Sequence, residues 1–241
     1  MSEDATPQRR RRSGTAAPRG GTRGNRVALN RDLIITTALE IIDGGGLDSL
    51  SMRKLGAQLG VDPMAVYYHL PNKAALFDGV VEAIQRELGA QLDALDLDGG
   101  DPADWADRAT LVMQTYRDVL RRHPHALPVI STRPVRSPEA LAPFERILAV
   151  FTDSGIALPA AVHMVTCVVE FTIGHVLAEA GEPFGGETPY EADALDQHAS
   201  DLPHVAEAWQ DQEQAIDPDT LYELGVRSML EGMNARLSAA R

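Results

Sequence analysis

Residues Leu50–Lys73 read LSMRKLGAQLGVDPMAVYYHLPNK, a pattern that predicts two short helices joined by a tight turn. Ser51 is a candidate N-cap for the first helix, and Gly60 supplies the left-handed residue that ends it. Pro63 suits the first position of the second helix. Two short helices around a glycine turn are typical of the helix-turn-helix, whose second helix enters the major groove of DNA.

The charge distribution agrees with a nucleic-acid-binding amino-terminal part. The chain of 241 residues has a formal net charge of −13, which by itself disfavours DNA as a partner. Residues 1–75, however, hold eleven of the 22 Lys and Arg residues but only seven of the 35 Asp and Glu residues, a net charge of +4 against −17 for the remainder. The first third can therefore approach phosphates, whereas the rest repels them.

Composition favours an all-α protein that acts in the bacterial cytoplasm. Leu and Ala recur throughout, and no alternating strand pattern bounded by hairpin turns is present. A single cysteine, Cys167, excludes a disulfide framework within the chain and fits a reducing compartment. Segment 158–180 is apolar nearly all round but contains His163 and Glu170, so we expect it to be buried against protein on most faces rather than to span a membrane.

Apolar periodicity and capping residues predict helices on both sides of the helix-turn-helix. The Arg-rich tail is expected to be disordered, either as a solvated segment or as an arm that follows the DNA backbone. Three regions follow: a disordered basic tail over 1–27, a DNA-binding domain over 28–75 and a second helical domain over 76–241. The predicted helices outside the motif span 31–44, 73–95, 103–122, 137–154, 158–180, 202–213 and 218–238, with a loop over 181–200.

The residues of the motif resemble those of a known family. MRKLGAQLGV followed by YYHLPNKAALFDGV is similar to the DNA-binding domain of the tetracycline-repressor (TetR) family, whose signature combines a Leu-Gly-Val turn, a Tyr-aromatic-His run and an Asn-Lys pair. The resemblance implies a ligand-responsive transcriptional regulator, a homodimeric repressor that binds a palindromic DNA operator and is released by a small-molecule inducer. An activator of the same family remains an alternative, because sequence does not locate the operator relative to a promoter.

The resemblance also assigns roles to residues of the DNA-binding domain, which we call the head. Arg53 is expected to contact a guanine or a phosphate, Met64 and Ala65 to face base edges, and Lys73 to anchor a phosphate at a helix amino terminus. The predicted DNA-binding residues are Ser51, Arg53, Pro63, Met64, Ala65, Tyr67, Tyr68, His69 and Lys73.

The carboxyl-terminal part resembles the ligand-binding domain of the tetracycline repressors themselves. Thr132-Arg133-Pro134 and Phe171-Thr172-Ile173-Gly174 carry this resemblance. The two positions that would hold a magnesium–tetracycline chelate are Val129 and Ala178, neither of which offers Mg²⁺ an oxygen ligand. Glu179, one residue later, points about 100° away on a helix. We therefore expect a different inducer, no metal and no cofactor.

We expect the ligand to bind in a mostly apolar pocket of this second domain. His175 and Arg133 are the polar groups best able to orient it, and segment 126–134 is expected to move against helix 73–95 when it binds. The predicted lining residues are Leu111, Val112, Tyr116, Val129, Thr132, Arg133, Phe171, Thr172 and His175.

Two other classes of protein compete with a regulator. An enzyme is disfavoured, because the sequence has no nucleophile elbow, no metalloprotease motif and no phosphate-binding loop. His123 and His125 lack a partner pair at zinc-site spacing and predict a helix stop. A small-molecule-binding helical protein without repressor activity would lack basic and hydroxyl side chains in the head, which this sequence retains.

Overall fold

A computed structural model describes residues 28–95, 97, 101–180, 201–204, 207 and 217–239. Within these residues every regular element is a helix, so the all-α prediction is confirmed. Short 3-10 turns at Leu47–Ser49, Pro102–Asp104 and Pro124–Ala126 connect some of the α-helices. The α-helices are α1 Arg31–Gly45, α2 Met52–Leu59, α3 Pro63–His69, α4 Lys73–Asp93, α5 Trp105–Arg122, α6 Leu127–Ile130, α7 Pro138–Thr152, α8 Leu158–Ala180 and α9 Pro218–Ala239.

The head consists of α1, α2 and α3 packed against the first half of α4. Ile34, Leu55 and Val66 are fully buried at its centre, one from each of the first three helices. Gly79 on α4 lies so close to α1 that an added methyl group would collide with Ile35. The two helices are also joined by ion pairs from Arg31 to Glu82 and from Arg86 to Asp32.

Helix α4 runs from the head into the second domain, which we call the body, and packs there against α5 and α7. Its apolar residues Leu76, Val80, Ile84, Leu88 and Leu92 recur at fourfold spacing and are all buried, as the periodicity predicts. The amino-terminal half of α4 thus belongs to the head core and its carboxyl-terminal half to the body core. Displacing α4 in the body must therefore also move the head.

The body helices differ from the predicted ones mainly at their ends. Helix α5 begins at Trp105 because Pro102–Asp104 forms a 3-10 turn, and α7 ends at Thr152 rather than at residue 154. Segment 126–134 contains the short helix α6, which the sequence did not predict. The disordered tail 1–27 and the loop 181–200 lie outside the described residues, as does most of the predicted helix 202–213.

Helix α8 corrects one expectation from the sequence. It is long and apolar enough to cross a membrane by length and composition, and it packs on α5, α7 and α9 as a core helix does. Yet only six of its 23 residues are buried within this chain, rather than most of its surface. Val162 and Leu177 are 45% and 53% exposed on its outer side. The residues that the structure describes therefore leave a large part of α8 uncovered.

Candidate DNA-binding surface and ligand cavity

Local hydrogen bonds fix the geometry of the helix-turn-helix. Ser51 Oγ accepts a bond of 3.1 Å from the backbone N–H of Lys54, which caps α2. Gly60 ends α2 with φ of 68°, the left-handed conformation that glycine adopts without strain. Asp62 Oδ1 then accepts from the N–H of Met64 at 2.8 Å and starts α3 one residue before Pro63. The turn and both helix starts follow the sequence prediction.

None of the nine predicted DNA-binding residues is buried. On α3, Met64 is 71% and Tyr68 88% exposed, large values for apolar and aromatic side chains. Because both side chains belong to one short helix, their exposure makes α3 a candidate binding surface. Arg53 on α2 and Lys73 at the start of α4 are exposed as well and supply positive charge on either side of α3.

Lys73 and Arg133 lie against the same aromatic ring. The Nζ atom of Lys73 lies 5.2 Å from the ring centroid of Phe77, and the guanidinium carbon of Arg133 lies 5.6 Å from it. Arg133 also forms an ion pair with Asp78. Because Arg133 follows α6 in the body and Lys73 opens α4 beside the recognition helix, this cluster joins the body directly to the DNA-binding surface.

A second contact joins the end of α1 to the body through His123. The ring nitrogens Nδ1 and Nε2 lie 2.8 Å from Asp43 Oδ2 and 2.9 Å from Glu87 Oε2. Burial lowers the pKa of His123, but the hydrogen bonds and charges of the two carboxylates outweigh it and raise that pKa. Burial likewise raises the pKa of Glu87, and hydrogen bonds from His123 and Arg122 more than reverse this effect. His123 thus bridges two carboxylates that favour its protonated form, rather than only ending a helix.

The body contains a narrow cavity of about 20 Å³ between α4, α5, α7 and α8. The side-chain N–H group of Gln85 donates to the Tyr116 hydroxyl oxygen there, which lowers the pKa of the phenol, but burial is the larger influence and raises that pKa above the usual range. The cavity is lined by Gln85, Leu88, Val112, Met113, Tyr116, Pro143, Phe144, Ile147 and Val169. Its walls are therefore mainly apolar with one polar corner, the composition that small-molecule sites favour.

The structure brings only two of the nine predicted ligand-binding residues, Val112 and Tyr116, to this cavity. The side chains of Phe171, Thr172 and His175 gather instead around Tyr222 of α9. The ring centroids of Phe171 and His175 lie 5.9 and 5.0 Å from that of Tyr222. The hydroxyl groups of Thr172 and Tyr222 are 2.8 Å apart, and Tyr222 donates to the Met113 carbonyl. The hydroxyl groups of this core cluster are thus paired, whereas the buried Nε2 atom of His175 has no hydrogen-bond partner among the described residues.

The other four predicted lining residues lie apart from the cavity. Leu111 is 40% exposed, because it precedes Val112 by one residue, lies about 100° from it around α5 and faces outward. Val129 is a buried residue of α6, and Thr132 donates to the carbonyl of Pro128 at 2.6 Å. Arg133 is held by Asp78 and Phe77, as described above. A single cavity does not unite the predicted set in this conformation.

A buried charged network joins α5, α8 and α9 around Arg117. The Arg117 side chain is 4% exposed, forms ion pairs with Glu179 and Asp219, and lies 4.6 Å from the Tyr222 ring centroid. Burial lowers the pKa of Arg117, but the hydrogen bonds and charges of its two acidic partners together outweigh that effect and raise the pKa. The guanidinium therefore stays charged. Glu179, which the sequence placed off the metal position, is therefore the partner of an arginine. No group of three or more potential metal ligands occurs among the described residues.

Gln85 and Phe144 are cavity residues that the sequence analysis missed. Gln85 had a readable signal, since it stands one turn before Leu88 on the buried face of α4 and interrupts an apolar pattern. Pro143 had one too, because a proline inside a helix marks a weakened turn. No such signal marked Phe144 in the sequence, because a phenylalanine on an amphipathic helix is normally a core residue.

These features define a helical DNA-binding protein with a second domain suited to ligands, and comparison with known proteins specifies the family. A model described as "Bacterial regulatory proteins, tetR family" matches residues 34–80, and one described as "Tetracyclin repressor-like, C-terminal domain" matches residues 99–237. The second model alone covers more than half of the chain. The chain therefore belongs to the TetR family of transcriptional regulators, and it is a regulator rather than an enzyme.

Individual relatives agree with this assignment. The repressor DrrR1 of Streptomyces coeruleorubidus is 30% identical over 153 residues, which is 64% of this chain and 54% of that protein, so the chain spans about half the length of that relative. The class D tetracycline repressor of Escherichia coli is 29% identical over 88% of this chain and 92% of its own. Ligand-free ActR from Streptomyces coelicolor shares the fold with a TM-score of 0.72 at 23% identity, covering 88% of this chain and 98% of ActR.

Proposed function

We propose that this protein is a repressor that binds a palindromic operator as a homodimer in the bacterial cytoplasm and leaves the DNA when a small molecule binds in the body. The observation that carries the proposal is the cluster of Lys73, Phe77, Asp78 and Arg133, which connects the body to the DNA-binding surface. We divide the chain accordingly into a DNA-binding domain over 28–75 and a ligand-binding and dimerisation domain over 76–241, preceded by a basic tail over 1–27.

The switch follows from this connection. A ligand shifts the DNA-competent state only through its differential affinity for the two conformations, so it must contact something that moves. Movement of α6 and the Arg133 segment would be transmitted to Phe77 and Asp78 on α4, and α4 carries the head with it. The two heads of a dimer would then lose their spacing relative to successive major grooves, which is about 34–36 Å in undistorted DNA. Linkage requires that DNA weaken ligand binding by the same factor.

The inducer is not a magnesium–tetracycline chelate in this proposal. ActR has been crystallised with actinorhodin, which supports a ligand-responsive role for proteins with this fold. The side chains at Val129 and Ala178 offer no oxygen to Mg²⁺. Release of the operator should therefore persist in EDTA.

The direct test is selection of bound DNA from a random pool with the full-length protein. We expect an enriched sequence made of two inverted half-sites, and footprinting should protect both. Recovery of an unrepeated half-site, or of no preferred sequence, would contradict a homodimeric repressor. The genomic position of the selected operator would then point to the regulated genes.

Variants of two exposed basic residues should separate sequence reading from phosphate contact. Arg53→Ala should weaken binding by about 1–3 kcal/mol and relax the preference at one base pair, whereas Lys73→Ala should weaken specific and random DNA alike. Titration of the selected operator and of a scrambled duplex at fixed salt measures both effects. Equal losses on both duplexes for both variants would contradict the assigned roles.

The homodimer should form through the uncovered faces of α8 and α9. Leu221 and Leu224 of α9 are 49% and 53% exposed, and Val162 and Leu177 extend the apolar surface on α8. Two copies of the same surface related by a twofold axis bury each other, as in most soluble homodimers. The half of α8 that the described residues of one protomer leave exposed would then be covered by the partner.

Leu224→Glu should raise the dimer dissociation constant about a hundredfold, or ~3 kcal/mol, because it buries one carboxylate from each copy. Leu141→Glu is the matched control, since Leu141 is similarly exposed at 44% but lies on α7. Sedimentation velocity over a range of concentrations measures the change. A Leu224→Glu protein as dimeric as the control would show that another surface forms the dimer.

A further inference from the structure

Gln85 presents an unused hydrogen-bond acceptor at the body cavity. The residue is 2% exposed, and its Oε1 atom has no hydrogen-bond partner among the residues that the structure describes. An unpaired acceptor at such depth costs about 1–3 kcal/mol. Because Gln85 lines the cavity together with Tyr116, a molecule in the cavity can supply the missing donor.

An open groove adjoins this cavity and shares two of its residues. The groove has a volume of about 330 Å³ and lies between α7 and α8 near the end of α6. Phe144 and Val169 line both spaces, so they form the partition between them. The inner cavity alone holds about one water molecule. Rotation of Phe144 would join the cavity to the larger groove.

Helix α7 contains a weak point beside this partition. Pro143 has no N–H to donate to the carbonyl four residues earlier, so one hydrogen bond of the helix is missing there. Its ring faces Gly89 of α4, where a methyl group added to the glycine would lie 3.8 Å from Pro143 Cγ. The turn of α7 that carries Phe144 therefore has one backbone hydrogen bond fewer than an unbroken helix.

The charged residues that line the cavity and the groove restrict the charge that a ligand can carry. Of the described residues that line the inner cavity none is charged, and Glu170 is the charged residue lining the groove. An anion would lose its hydration without gaining a cationic partner, a cost that normally excludes it from such a site. A neutral or cationic molecule meets no such penalty.

We infer that the inducer is a largely apolar, ring-containing molecule without negative charge that passes Phe144 and donates a hydroxyl or N–H group to Gln85 Oε1. This inference rests on the proposed ligand-responsive function and specifies the chemistry of its ligand. Phe144 controls passage from the groove into the inner cavity, and Gln85 selects a ligand that carries a hydrogen-bond donor.

Equilibrium dialysis of the full-length protein against 1-naphthol, naphthalene and 1-naphthoate tests this chemistry. We expect 1-naphthol to bind about tenfold more tightly than naphthalene, because only it satisfies the Gln85 acceptor. The anion 1-naphthoate should bind more weakly than either. Equal affinities for 1-naphthol and naphthalene, tight binding of 1-naphthoate, or no binding of the neutral probes would each overturn the inference.

Substitutions locate the effect at Gln85. Gln85→Leu should reduce the preference for 1-naphthol to within about twofold, since no acceptor then remains unpaired. Gln91→Leu, the same change at an exposed position of α4, should leave the preference intact. A preserved preference in Gln85→Leu would place the probe elsewhere. If Gln85→Leu does not fold, the ranking of the three probes by the unaltered protein decides the question.

Operator binding by the same preparation separates this inference from the proposed function. Intact binding to the selected operator without any preference for 1-naphthol would overturn the ligand chemistry alone. Loss of specific DNA binding would instead contradict the repressor itself.

Discussion

Arg117→Ala should lower the free energy of unfolding by about 3 kcal/mol, because removing one partner of a buried ion pair leaves the other uncompensated. Glu179 is only 24% exposed and would lose its principal cationic partner, whereas Asp219, at 69% exposed, would remain hydrated. The contact with the Tyr222 ring would be lost as well, which adds a smaller decrease in the free energy of unfolding. Urea unfolding at a fixed protomer concentration measures the change.

Arg121→Ala provides the matched control on the same helix. Arg121 approaches the same two carboxylates, at 3.9 Å from Glu179 and 3.4 Å from Asp219, but its side chain is 48% exposed. Surface pairs of this kind contribute about 0–1 kcal/mol, so its loss should be small. Similar losses in both variants would mean that burial does not set the strength of this network. A small loss in both would show that Arg117 is not a structural support of α5, α8 and α9.

His123→Gln should weaken the protein mainly at mildly acidic pH and flatten its pH dependence, with a loss of about 2 kcal/mol near pH 6. A neutral imidazole carries one N–H and satisfies only one of the two carboxylates, so both contacts require the protonated ring. Glutamine can reach one of them and does not titrate. Unfolding in urea across a range of pH compares the variant with the unaltered protein.

The sign of this effect follows from the direction of each pKa. Because folding raises the pKa of His123, its contribution is complete below the ordinary value of about 6.5 and disappears as pH rises through the raised value. Folding lowers the pKa of Glu87, so its contribution is present above its ordinary value and disappears as pH falls through the lowered one. The bridge is therefore strongest between the ordinary pKa of a glutamate and that of a histidine. Arg122 also forms an ion pair with Glu87.

His125→Gln is the control for this prediction. His125 lies two residues away and binds the backbone carbonyl of Asp43 through Nδ1 at 2.9 Å, without a carboxylate partner. Its substitution should shift stability little and leave the pH dependence intact. If the two histidine variants gave the same pH profile, the His123 bridge would not be the titrating element. Hydrogen exchange at the end of α1 should report the same difference locally.

The fold was readable from sequence because its signals are local. Capping residues such as Ser51 and Asn72 act within one turn, and both accept the predicted backbone hydrogen bonds. Apolar periodicity placed α8 at 158–180, the same bounds that the structure gives. Exposure of Met64 and Tyr68 likewise follows from their positions on α3. These properties depend on neighbours that lie close in sequence.

The ligand site was less readable because it depends on packing between distant segments. Resemblance to tetracycline repressors placed Phe171, Thr172 and His175 at a cavity, but in this chain Tyr222 fills the space beside them. Nothing near residue 171 in sequence reveals that contact. Arg117, with partners 62 and 102 residues away, was missed for the same reason. Long-range pairs require the structure.

The close packing of Gly79 on α1 has a consequence for building hybrid regulators. A chimaera that joined a foreign head at residue 75 would place new α1 side chains against this glycine and remove the partners of Glu82 and Arg86. The exchangeable module is therefore α1 to α3 together with α4 as far as Arg86. A junction in the following turn would transplant the three head helices together with their contacts to α4. Because Gln85 lies before this junction and lines the body cavity, the residue of the host protein has to be restored at that position.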